Sequence, residues 1–504
     1  MAKNYDSEFC GSLPLNNINV IQSYGFLIVI DKESFRIIQI SDNIGTFLKQ
    51  NPSELIGTSL EDILDINQLK ELQHRFDNKS KEKIPLTFTV SGAKLLAFAH
   101  FKPEYIILEL EKPDLVTERS FTSVYEDVKY VMTVIESAET IEEVSRIAVK
   151  ELKKLTGFDG VMMYRFDSDW NGTVIAQDKS NDALEDYMGH TFPASDIPKQ
   201  ARELYLKNPY RLIPEREYEP VRLYPVVNSM TNAFIDLSDC NLRGVAAVHL
   251  EYLKNMNVQA SMSIRVIYNG TLWGLLAFHH VTPHYLNFEL CSICELISTV
   301  ISNRITHILH KQRFDVEAEL QQYHSMLISR IYAEDDLLTG LLNSENDVLQ
   351  NMFKANGIAI IFRGKYQLSG EVPQKDFLEN MVFWLQSKEI ENVFHSDHLS
   401  DIFEEATPFG ATASGVLVIP INKEKGEYII CFRPEVIQTI NWGGNPNKTI
   451  NFDPDRKKYH PRASFKVWQE LIHHTSSPWD ALEIKAAENL RTFIYEYTTK
   501  QAEY

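Results

Sequence analysis

The sequence predicts an α+β protein of three domains, each an antiparallel β-sheet flanked by helices. The chain has 504 residues, which corresponds to about three domains at roughly 150 residues each. Apolar runs of strand length alternate with helical stretches in three separate regions. No glycine or proline lies between Asn287 and Leu338, so a helix of about 286–334 is expected to join the second region to the third. At about 1.5 Å per residue this helix would span roughly 70 Å, as a spine between domains.

The first region predicts a small sheet with helices on one side. Its strand-like runs are YGFLIVID, FRIIQIS, PLTFTVSG, KLLAFAHF and YIILELE, and NIGTFLKQ has helical spacing. This order is typical of a PAS-like sheet.

The second region begins after a charged helix, predicted at about 121–154. Its strand-like runs are VMMYRFD, TVIAQDK, SMSIRVIYNG and TLWGLLAFHH. A long irregular stretch, about 181–260, interrupts them, and such stretches inside a compact domain usually carry function.

The third region starts at about 345 and ends in a helix, about 478–500. Its strands are IAIIFRG, GVLVIPINK and EYIICFRPE. The insert 437–470 is polar and far too long for an ordinary connection, so another part of the chain must hold it.

Charge and composition exclude several classes of partner. The chain carries 50 basic and 69 acidic residues, a net charge of -19, which disfavours nucleic acid and anionic membrane surfaces. No apolar run is long enough for a membrane span, and the N-terminus lacks the order of a secretory signal. We therefore expect a cytoplasmic protein with reduced cysteines.

Cys291 and Cys294 form a CxxC pair, which is open to a metal or a packing interpretation. The pair lies in a stretch of helical periodicity, and no second CxxC or nearby histidine pair completes four ligands. This favours core packing, and no metal site is predicted.

A first candidate site is HTFPASDIPKQAREL, where Asp196 lies between Pro193 and Pro198. A buried aspartate must be paired or hydrogen-bonded. The alternative is structural, with Ser195 or Asp196 as the N-cap of the helix that follows. Both can hold, because capping uses one carboxylate oxygen and leaves the other free.

A second candidate is LRGVAAVHLEYLKNM, which brings Arg243, His249 and Tyr252 close together, followed by Ser261 and Ser263 at strand alternation. A histidine in such a stretch is more often a satisfied core residue than a ligand contact. In AFHH, His279 and His280 face opposite sides of a strand, so at most one lines any single pocket. No phosphate loop, HExxH or nucleophile elbow is present, so an ordinary enzyme active site is not expected.

Taken together, these motifs resemble the phytochrome family over nearly the whole chain. PASDIP, residues 193–198, is similar to the family signature, and WGLLAFHH resembles its WGLxxxHH strand. YHPRASFKVW contains the family's PRxSF motif, and NWGG resembles the other strand of the same hairpin, called the tongue. IQSYG resembles the family's IQPHG, with Ser23 and Tyr24 as departures.

The resemblance implies three domains in a fixed order: an N-terminal segment 1–16, PAS 17–118, GAF 127–312 and PHY 325–504. It also implies a tongue at about 437–470, and an N-terminal knot through GAF.

The resemblance also decides the attachment site of the expected bilin. Plant and cyanobacterial phytochromes attach it to a cysteine directly before the histidine that corresponds to His249, and here that residue is Val248. The remaining candidate is Cys10, the position of the bacteriophytochrome attachment cysteine. This implies biliverdin IXα held covalently by a thioether.

The residues implied to bind biliverdin divide by role. Arg211, Arg243, Ser261, Ser263 and Tyr205 match the positions that hold the propionates, with arginine suited to bidentate pairing. Asp196, through its backbone carbonyl, and His249 match the acceptors of the pyrrole N–H groups. The remaining positions implied to contact the pigment are Cys10, Tyr164, Tyr187, Phe192, Ile197, Pro198, Tyr252 and His279.

The implied switch joins Asp196 to Arg462 in one state, and to ring D and Ser464 in the other. The tongue would refold as these partners exchange. Its implied switch residues are Asp196, Trp442, Gly443, Gly444, Pro461, Arg462, Ser464 and Phe465.

The function expected from this resemblance is red/far-red photoreception. Ring D isomerisation would convert the Pr and Pfr states, and a homodimer would signal to an output domain or response regulator. The chain itself is expected to be a sensor module and no enzyme. The alternative is a pigment-free PAS/GAF sensor of a small ligand.

Overall fold

The computed structural model describes residues 18–64, 66–77, 84–90, 92–112, 121–342, 348–446, 451–452, 459–462 and 464–502. The chain divides into two compact units. The first unit comprises residues 1–308 and 441–468, and the second comprises residues 309–440 and 469–504.

The first sheet of the first unit is formed mainly by the predicted PAS strands. Its strands are β1 (Val20–Ile21), β2 (Gly25–Asp31), β3 (Ile37–Ser41), β4 (Ile84–Val90), β5 (Ala93–Phe101), β6 (Tyr105–Glu111) and β11 (Val221–Tyr224). Their order in the sheet is β1-β11-β3-β2-β6-β5-β4, with every pair antiparallel. Strand β11 comes from the long irregular stretch of the second region, a pairing that local sequence patterns did not predict.

The second sheet carries the GAF-type strands and ends in the tongue. Its strands are β7 (Gly160–Phe166), β8 (Gly172–Lys179), β9 (Thr191–Phe192), β10 (Tyr210–Ile213), β12 (Ala260–Tyr268), β13 (Thr271–His280), β19 (Gln438–Gly443) and β22 (Val467–Ile472). Strand β19 pairs parallel with β9 at Trp442 and Thr191, whereas the pairs β10–β12, β12–β13, β13–β7, β7–β8 and β8–β9 are antiparallel.

The helices that precede the long spine are short to medium in length. They are α1 (Ile44–Leu48), α2 (Pro52–Leu55), α3 (Ile66–Asp77), α4 (Phe121–Ser137), α5 (Ile141–Thr156), α6 (Lys199–Lys207) and α7 (Ala247–Asn255), with 3₁₀ turns at Leu60–Asp62 and Ala194–Asp196.

The single helix predicted for 121–154 is wrong in one respect, because the structure has two helices there. Thr140 is extended and its hydroxyl accepts a hydrogen bond from Glu143 N at 3.1 Å, which caps α5 and separates it from α4. A threonine followed by glutamates is an N-cap signal, but the continuous run of charged residues led to the prediction of one unbroken helix.

The long helix α8 runs from Phe288 to Glu334, as predicted. Cys291 and Cys294 lie on its buried side, 1% and 0% exposed. Burial raises the pKa of the Cys294 thiol to about 12, so it is a packed apolar side chain and an unreactive thiol at neutral pH.

The second unit contains a five-stranded antiparallel sheet. Its strands are β14 (Gly357–Phe362), β15 (Lys365–Gly370), β16 (Phe394–Ser396), β17 (Gly415–Asn422) and β18 (Glu427–Arg433), in the order β15-β14-β18-β17-β16. Its helices are α9 (Leu337–Leu341), α10 (Val348–Met352), α11 (Lys375–Ser387), α12 (Leu399–Ile402), α13 (Gly410–Ala413) and α14 (Ala481–Ala502), with a 3₁₀ turn at Glu404–Phe409.

A buried ion pair ties β18 to α14 in this unit. Arg433 Nη2 donates to Glu483 Oε1 at 2.9 Å, and the guanidinium stacks over Trp479 at 3.7 Å. Apolar side chains of β14 and β18 belong to the same core cluster as Trp479, so the ion pair lies at the edge of a hydrophobic core.

The tongue adds two short strands to the first unit, β20 (Asn451–Phe452) and β21 (Tyr459–His460), paired antiparallel. The N-terminal segment that would carry the predicted knot lies outside the described residues. Beyond it, Gln22 N donates to Leu242 O at 2.7 Å, and the Gln22 side chain donates to Leu212 O at 3.0 Å. These contacts join β1 to the site-bearing region, and the knot stays a prediction.

Candidate functional site

A cavity of about 680 Å³ lies in the first unit, within the size range of small-molecule and cofactor sites. Strands β7, β10, β12 and β13 line its floor, and α6 and α7 line its sides. The tongue, the stretch from Pro193 to Pro198 and the turn 243–246 complete the wall. Aromatic and aliphatic side chains make up most of the lining, with a few convergent polar groups.

Most of the residues predicted to bind a cofactor line this cavity. They are Tyr164, Phe192, Asp196, Ile197, Pro198, Tyr205, Arg211, Arg243, His249, Tyr252, Ser261, Ser263 and His279, joined by Gly444, Pro461, Arg462 and Ser464 of the tongue. Their convergence from separate stretches of chain is what the motif-by-motif prediction required.

Some predicted residues lie elsewhere. Tyr187 does not line the cavity; it packs behind Phe192, with ring centroids 5.6 Å apart. Trp442, Gly443 and Phe465 do not line the cavity either: Trp442 pairs with Thr191, Gly443 lies against the Phe192 ring, and the Phe465 ring lies 5.0 Å from that of Tyr252. Cys10 lies outside the described residues.

Two arginines form the cationic end of the cavity. Among the described residues, no partner satisfies the buried Nη1 of Arg243. Burial, and next the charge of Arg211, lower the pKa of Arg243 to about 9, which still leaves the guanidinium charged at neutral pH. Two like charges held together in a poorly hydrated pocket favour an anionic ligand there.

Arg211 and Arg243 are held differently. Arg211 donates to the backbone carbonyls of Asn241 at 3.1 Å and Gly244 at 2.9 Å, and also to that of Arg243. Its guanidinium therefore fixes the 241–244 backbone, whereas Arg243 keeps a donor free toward the cavity.

Two histidines face the middle of the cavity. His249, on α7, lies inside the protein, and its side chain is exposed only to the cavity that it borders. Burial lowers the pKa of His249 and of His279 to about 4, with further lowering from Arg211 and His249 respectively. Both rings are therefore neutral at physiological pH, able to donate through one nitrogen and accept through the other.

His280, next along β13, faces the other side of the strand. Its Nδ1 lies 2.8 Å from Asp159 Oδ2, away from the cavity. Only one of the two neighbouring histidines lines the site, as strand alternation predicted.

The aromatic end of the cavity depends on close packing around Tyr164 and Phe192, whose ring centroids lie 6.1 Å apart. A Cβ at Gly172 would lie 1.7 Å from the Tyr164 ring, and one at Gly443 would lie 2.6 Å from the Phe192 ring. Glycine at these two positions lets a strand of the sheet and a strand of the tongue approach the rings.

Asp196 joins α7 to the tongue. Tyr252 Oη donates to Asp196 Oδ2 at 2.9 Å, and Arg462 Nη2 donates to Asp196 Oδ1 at 2.5 Å. Arg462 Nη1 also donates to Gly443 O at 2.7 Å. Burial raises the pKa of Asp196, while the Arg462 charge opposes that shift.

The predicted N-cap role of Ser195 or Asp196 is wrong. Helix α6 begins at Lys199, its N-cap is Pro198, and no side chain caps it. Ile197 and Pro198 move the helix start away from Asp196, and both carboxylate oxygens turn toward Tyr252 and Arg462.

Arg202 holds the turn that presents Asp196. Its Nη1 donates to Ile197 O at 2.5 Å, and its guanidinium lies 4.6 Å over the Trp170 ring. A cation in the first turns of α6 therefore fixes the backbone just after Asp196.

Sequence reasoning missed a buried amide network behind Arg211. Asn208 Nδ2 donates to Asn241 Oδ1 at 2.9 Å, and Asn241 Nδ2 donates to Tyr210 Oη at 2.7 Å. Asn241 is 0% exposed, but isolated asparagines far apart in sequence give no local signal of such a network.

Sequence reasoning also missed tongue residues at the cavity wall, namely His460, Lys466, Val467 and Trp468, together with Asn445 and Pro446. They flank the motif that was recognised, so proximity to PRASF was the only available signal.

Comparisons with known proteins identify the family of the chain. The chain matches the Phytochrome region family over residues 320–503, the PAS fold over 10–113 and the GAF domain over 140–305. It is 35% identical to cyanobacterial phytochrome B of Nostoc sp., over 99% of this chain and 67% of that protein. It is 30% identical to a bacteriophytochrome of Xanthomonas campestris pv. campestris, over 97% of this chain and 78% of that protein.

The chain belongs to the phytochrome family. It is a PAS-GAF-PHY phytochrome core, and phytochromes are red/far-red photoreceptors. It spans about two thirds of the length of its cyanobacterial relatives, 67% for phytochrome B.

Solved structures show the same fold. The crystal structure of a bacteriophytochrome from R. palustris aligns with a TM-score of 0.84 at 30% identity, covering 98% of this chain and all of that one. The phytochrome photosensory core module of Stigmatella aurantiaca aligns at 0.80 and 32% identity, covering 97% of this chain and 98% of that chain. Among the described residues of this phytochrome, no helix is both long and apolar enough to cross a membrane.

Proposed function

We propose that this phytochrome binds biliverdin IXα covalently through Cys10 and signals by rearranging its tongue. The observation that carries the proposal is the lining of the cavity: it offers two half-buried arginines and two neutral histidines, and none of its described residues is a cysteine. Val248 itself borders the cavity. A thioether to biliverdin would therefore need a cysteine outside the described cavity wall, which favours Cys10.

The residues present fit a bilin. Biliverdin would supply the absorption of red light and the isomerisation about its ring D methine bridge that interconverts Pr and Pfr. Arg243 has a free donor for a propionate, and Arg211 adds positive charge beside it. Tyr205 and Ser263 hydrogen-bond to each other at the same end, and Ser261 lies on the same strand.

The other end of the cavity suits a ring that must be confined without strong bonding. Tyr164, Phe192 and Tyr252 give it aromatic walls, and the His279 ring can donate to a carbonyl. In the middle, His249 and the backbone of Asp196 supply acceptors for pyrrole N–H groups.

The signalling step we propose is a change of partner at Asp196. The structure has the Asp196–Arg462 pair at 2.5 Å, with both side chains largely buried, 9% and 14% exposed. Release of Arg462 would let Asp196 accept from another donor, with Ser464 nearby on the tongue. A buried charge that loses its partner is costly, so the tongue backbone must rearrange with the exchange.

We further propose that the chain acts as a homodimeric sensor module and not as a catalyst. Its output would come from a C-terminal domain or a separate response regulator, such as a light-regulated histidine kinase or nucleotide cyclase. The relatives that extend beyond the matched region support this division of labour.

Reconstitution with biliverdin tests the proposal. Purified protein mixed with biliverdin should give a red-absorbing, photoconvertible species that remains attached after denaturation, seen as zinc-dependent fluorescence on a gel. Cys10→Ser should lose the covalent band, while Cys291→Ala, a thiol buried in α8, should keep it.

Two outcomes would contradict parts of this proposal. Fluorescence of denatured Cys10→Ser protein would place the attachment elsewhere. No red absorption in the native chain would favour the pigment-free PAS/GAF sensor of a small ligand.

A further inference from the structure

Helix α7 touches the tongue through two side chains that do not line the cavity. Glu251 accepts a hydrogen bond from His460 Nδ1, at 2.9 and 3.0 Å to its two oxygens. Asn255 Nδ2 donates to Arg462 O at 3.1 Å. We call Glu251 and Asn255 the α7 strip.

The α7 strip is separate from the face of α7 that borders the cavity. His249 and Tyr252 lie in the cavity wall, whereas Glu251 and Asn255 do not. One short helix therefore contacts both the ligand space and the segment that closes it.

The strip also uses different atoms from the Asp196 pair. Asp196 binds the Arg462 guanidinium, while Asn255 binds the main-chain carbonyl of the same residue. Loss of the guanidinium contact leaves the carbonyl contact available, so the two are not one interaction seen twice.

Spacing makes the strip selective for backbone conformation. Glu251 and Asn255 are one helical turn apart, about 6 Å along the axis. His460 and Arg462 are two residues apart, which is about 6.6 Å in an extended chain. The same two residues advance only about 3 Å in an α-helix, where the carbonyl also points along the helix axis toward the N–H four residues later.

The neighbouring secondary structure agrees with this match. His460 ends β21, which pairs with β20, so the chain enters the contact in strand form. An extended segment matches the spacing of both members of the strip, whereas a helical one is too short.

We propose that Glu251 and Asn255 are positioning residues that select the extended form of the tongue at residues 459–462. This proposal deepens, and rests on, the tongue rearrangement proposed above. The strip biases the strand form by backbone geometry, whereas Asp196 reads the charge of Arg462.

The two contacts differ in expected strength. Glu251 and His460 are 38% and 41% exposed, so their pairing is weakened by solvent. Asn255 makes a partly buried bond to a main-chain carbonyl, and the larger effect is expected from it.

Hydrogen–deuterium exchange on the pigment-free protein tests the proposal. Asn255→Asp keeps the side-chain shape but places an acceptor against the Arg462 carbonyl. We expect exchange in peptides containing His460, Arg462 and Phe465 to speed up about three- to tenfold. Glu251→Gln should speed it about two- to fivefold.

Lys254→Gln is the matched control, because Lys254 is an exposed residue on the same helix. It should leave tongue exchange unchanged, and strand β12 (Ala260–Tyr268) should keep its protection in every variant. Unchanged tongue exchange in Asn255→Asp overturns the proposal, and so does an equal loss of protection in β12, which would mean general destabilisation.

A double variant separates the strip from the Asp196 pair. Because the contacts use different atoms of Arg462, Asp196→Asn with Asn255→Asp should show roughly the product of the two single effects. No increase beyond Asp196→Asn alone would mean that Asn255 acts only through Asp196. Hydrogen–deuterium exchange needs no pigment, so it tests the α7 strip even if the chain does not attach biliverdin. If the native chain photoconverts normally and Asn255→Asp leaves tongue exchange unchanged, the role of the strip is contradicted and the proposed function is not.

Discussion

At the scale of single residues, Glu111 shows how burial changes the ionisation of a carboxyl group. It ends β6 with 0% exposure, and one oxygen accepts from Tyr285 Oη and from Phe288 N, at 3.0 Å for the latter. Its other oxygen has no hydrogen-bond partner among the described residues. A strand of the PAS-type sheet thereby caps the first residue of α8, where the helix dipole favours an anion.

Burial raises the pKa of Glu111 to about 7, opposed by its hydrogen bonds from Tyr285 and Phe288 and assisted by nearby Glu289. The folded state therefore binds the proton more tightly than the unfolded state. The free energy of unfolding should fall as pH rises from about 4.5 to about 7, by about 3 kcal/mol at most.

Glu111→Gln should remove this dependence, because the amide oxygen can still accept both hydrogen bonds without a charge. We expect its free energy of unfolding to match the native protein near pH 4.5 and to exceed it at pH 8, measured by urea denaturation across that range. Glu289→Gln, which removes an exposed acid in the first turn of α8, should shift the profile only slightly, because Glu289 raises the pKa of Glu111 much less than burial does. Parallel profiles for Glu111→Gln and the native chain would show that Glu111 ionises normally.

At the scale of elements, two glycines without side chains allow the tongue to pack closely against the second sheet. Strand β19 meets β9 at Trp442, and Gly443 follows against the Phe192 ring. Gly444 has φ +100°, and a Cβ there would lie 2.4 Å from Ser464 O. The two glycines let the tongue strand approach and then turn.

Gly443→Val should push β19 away from Phe192 and weaken the bond from Arg462 to Gly443 O. Arg462, 14% exposed in the native protein, should then be cleaved by trypsin several-fold faster, as followed by mass spectrometry. Gly189→Asn is the control, since Gly189 has φ +75° and open space around its Cβ position. Cleavage after Arg462 at the native rate in Gly443→Val would contradict this account of the tongue contact.

At the scale of the whole molecule, α8 presents an apolar side chain that the protein itself leaves uncovered. Phe314, on this helix, is 71% exposed. A parallel helix from a second copy would offer a seam for such residues, and this is the proposed homodimer.

Phe314→Glu should therefore shift the protein from dimer to monomer in sedimentation velocity, because it would place a charge in the seam. Phe383, 70% exposed on α11, gives the matched variant Phe383→Glu, which should leave the mass unchanged. A native chain that sediments as a monomer, or a Phe314→Glu dimer of native stability, would place the interface elsewhere or remove it.

Much of the fold was predictable because it is written in local patterns. Apolar runs located most of the main strands, and the span without glycine or proline located α8 within two residues at its start. The break between α4 and α5 was missed, since a single threonine cap is weaker than the surrounding helical periodicity. Strand β11 was missed because pairing across distant stretches leaves no local trace.

The sequence by itself determined which residue types would line the site. PASDIP, the Arg–His–Tyr stretch, the serine strand and the tongue motifs are each made of residues close together in sequence, so each can be recognised without the fold. Only the tertiary structure decided which contacts each of these residues makes. It placed Tyr187 behind Phe192, bound Arg211 to backbone carbonyls while leaving Arg243 a free donor, and left α6 without the side-chain cap expected from Ser195 or Asp196. The physical reason is that burial and hydrogen-bond pairing depend on which groups meet across the fold, and spacing along the chain does not fix that.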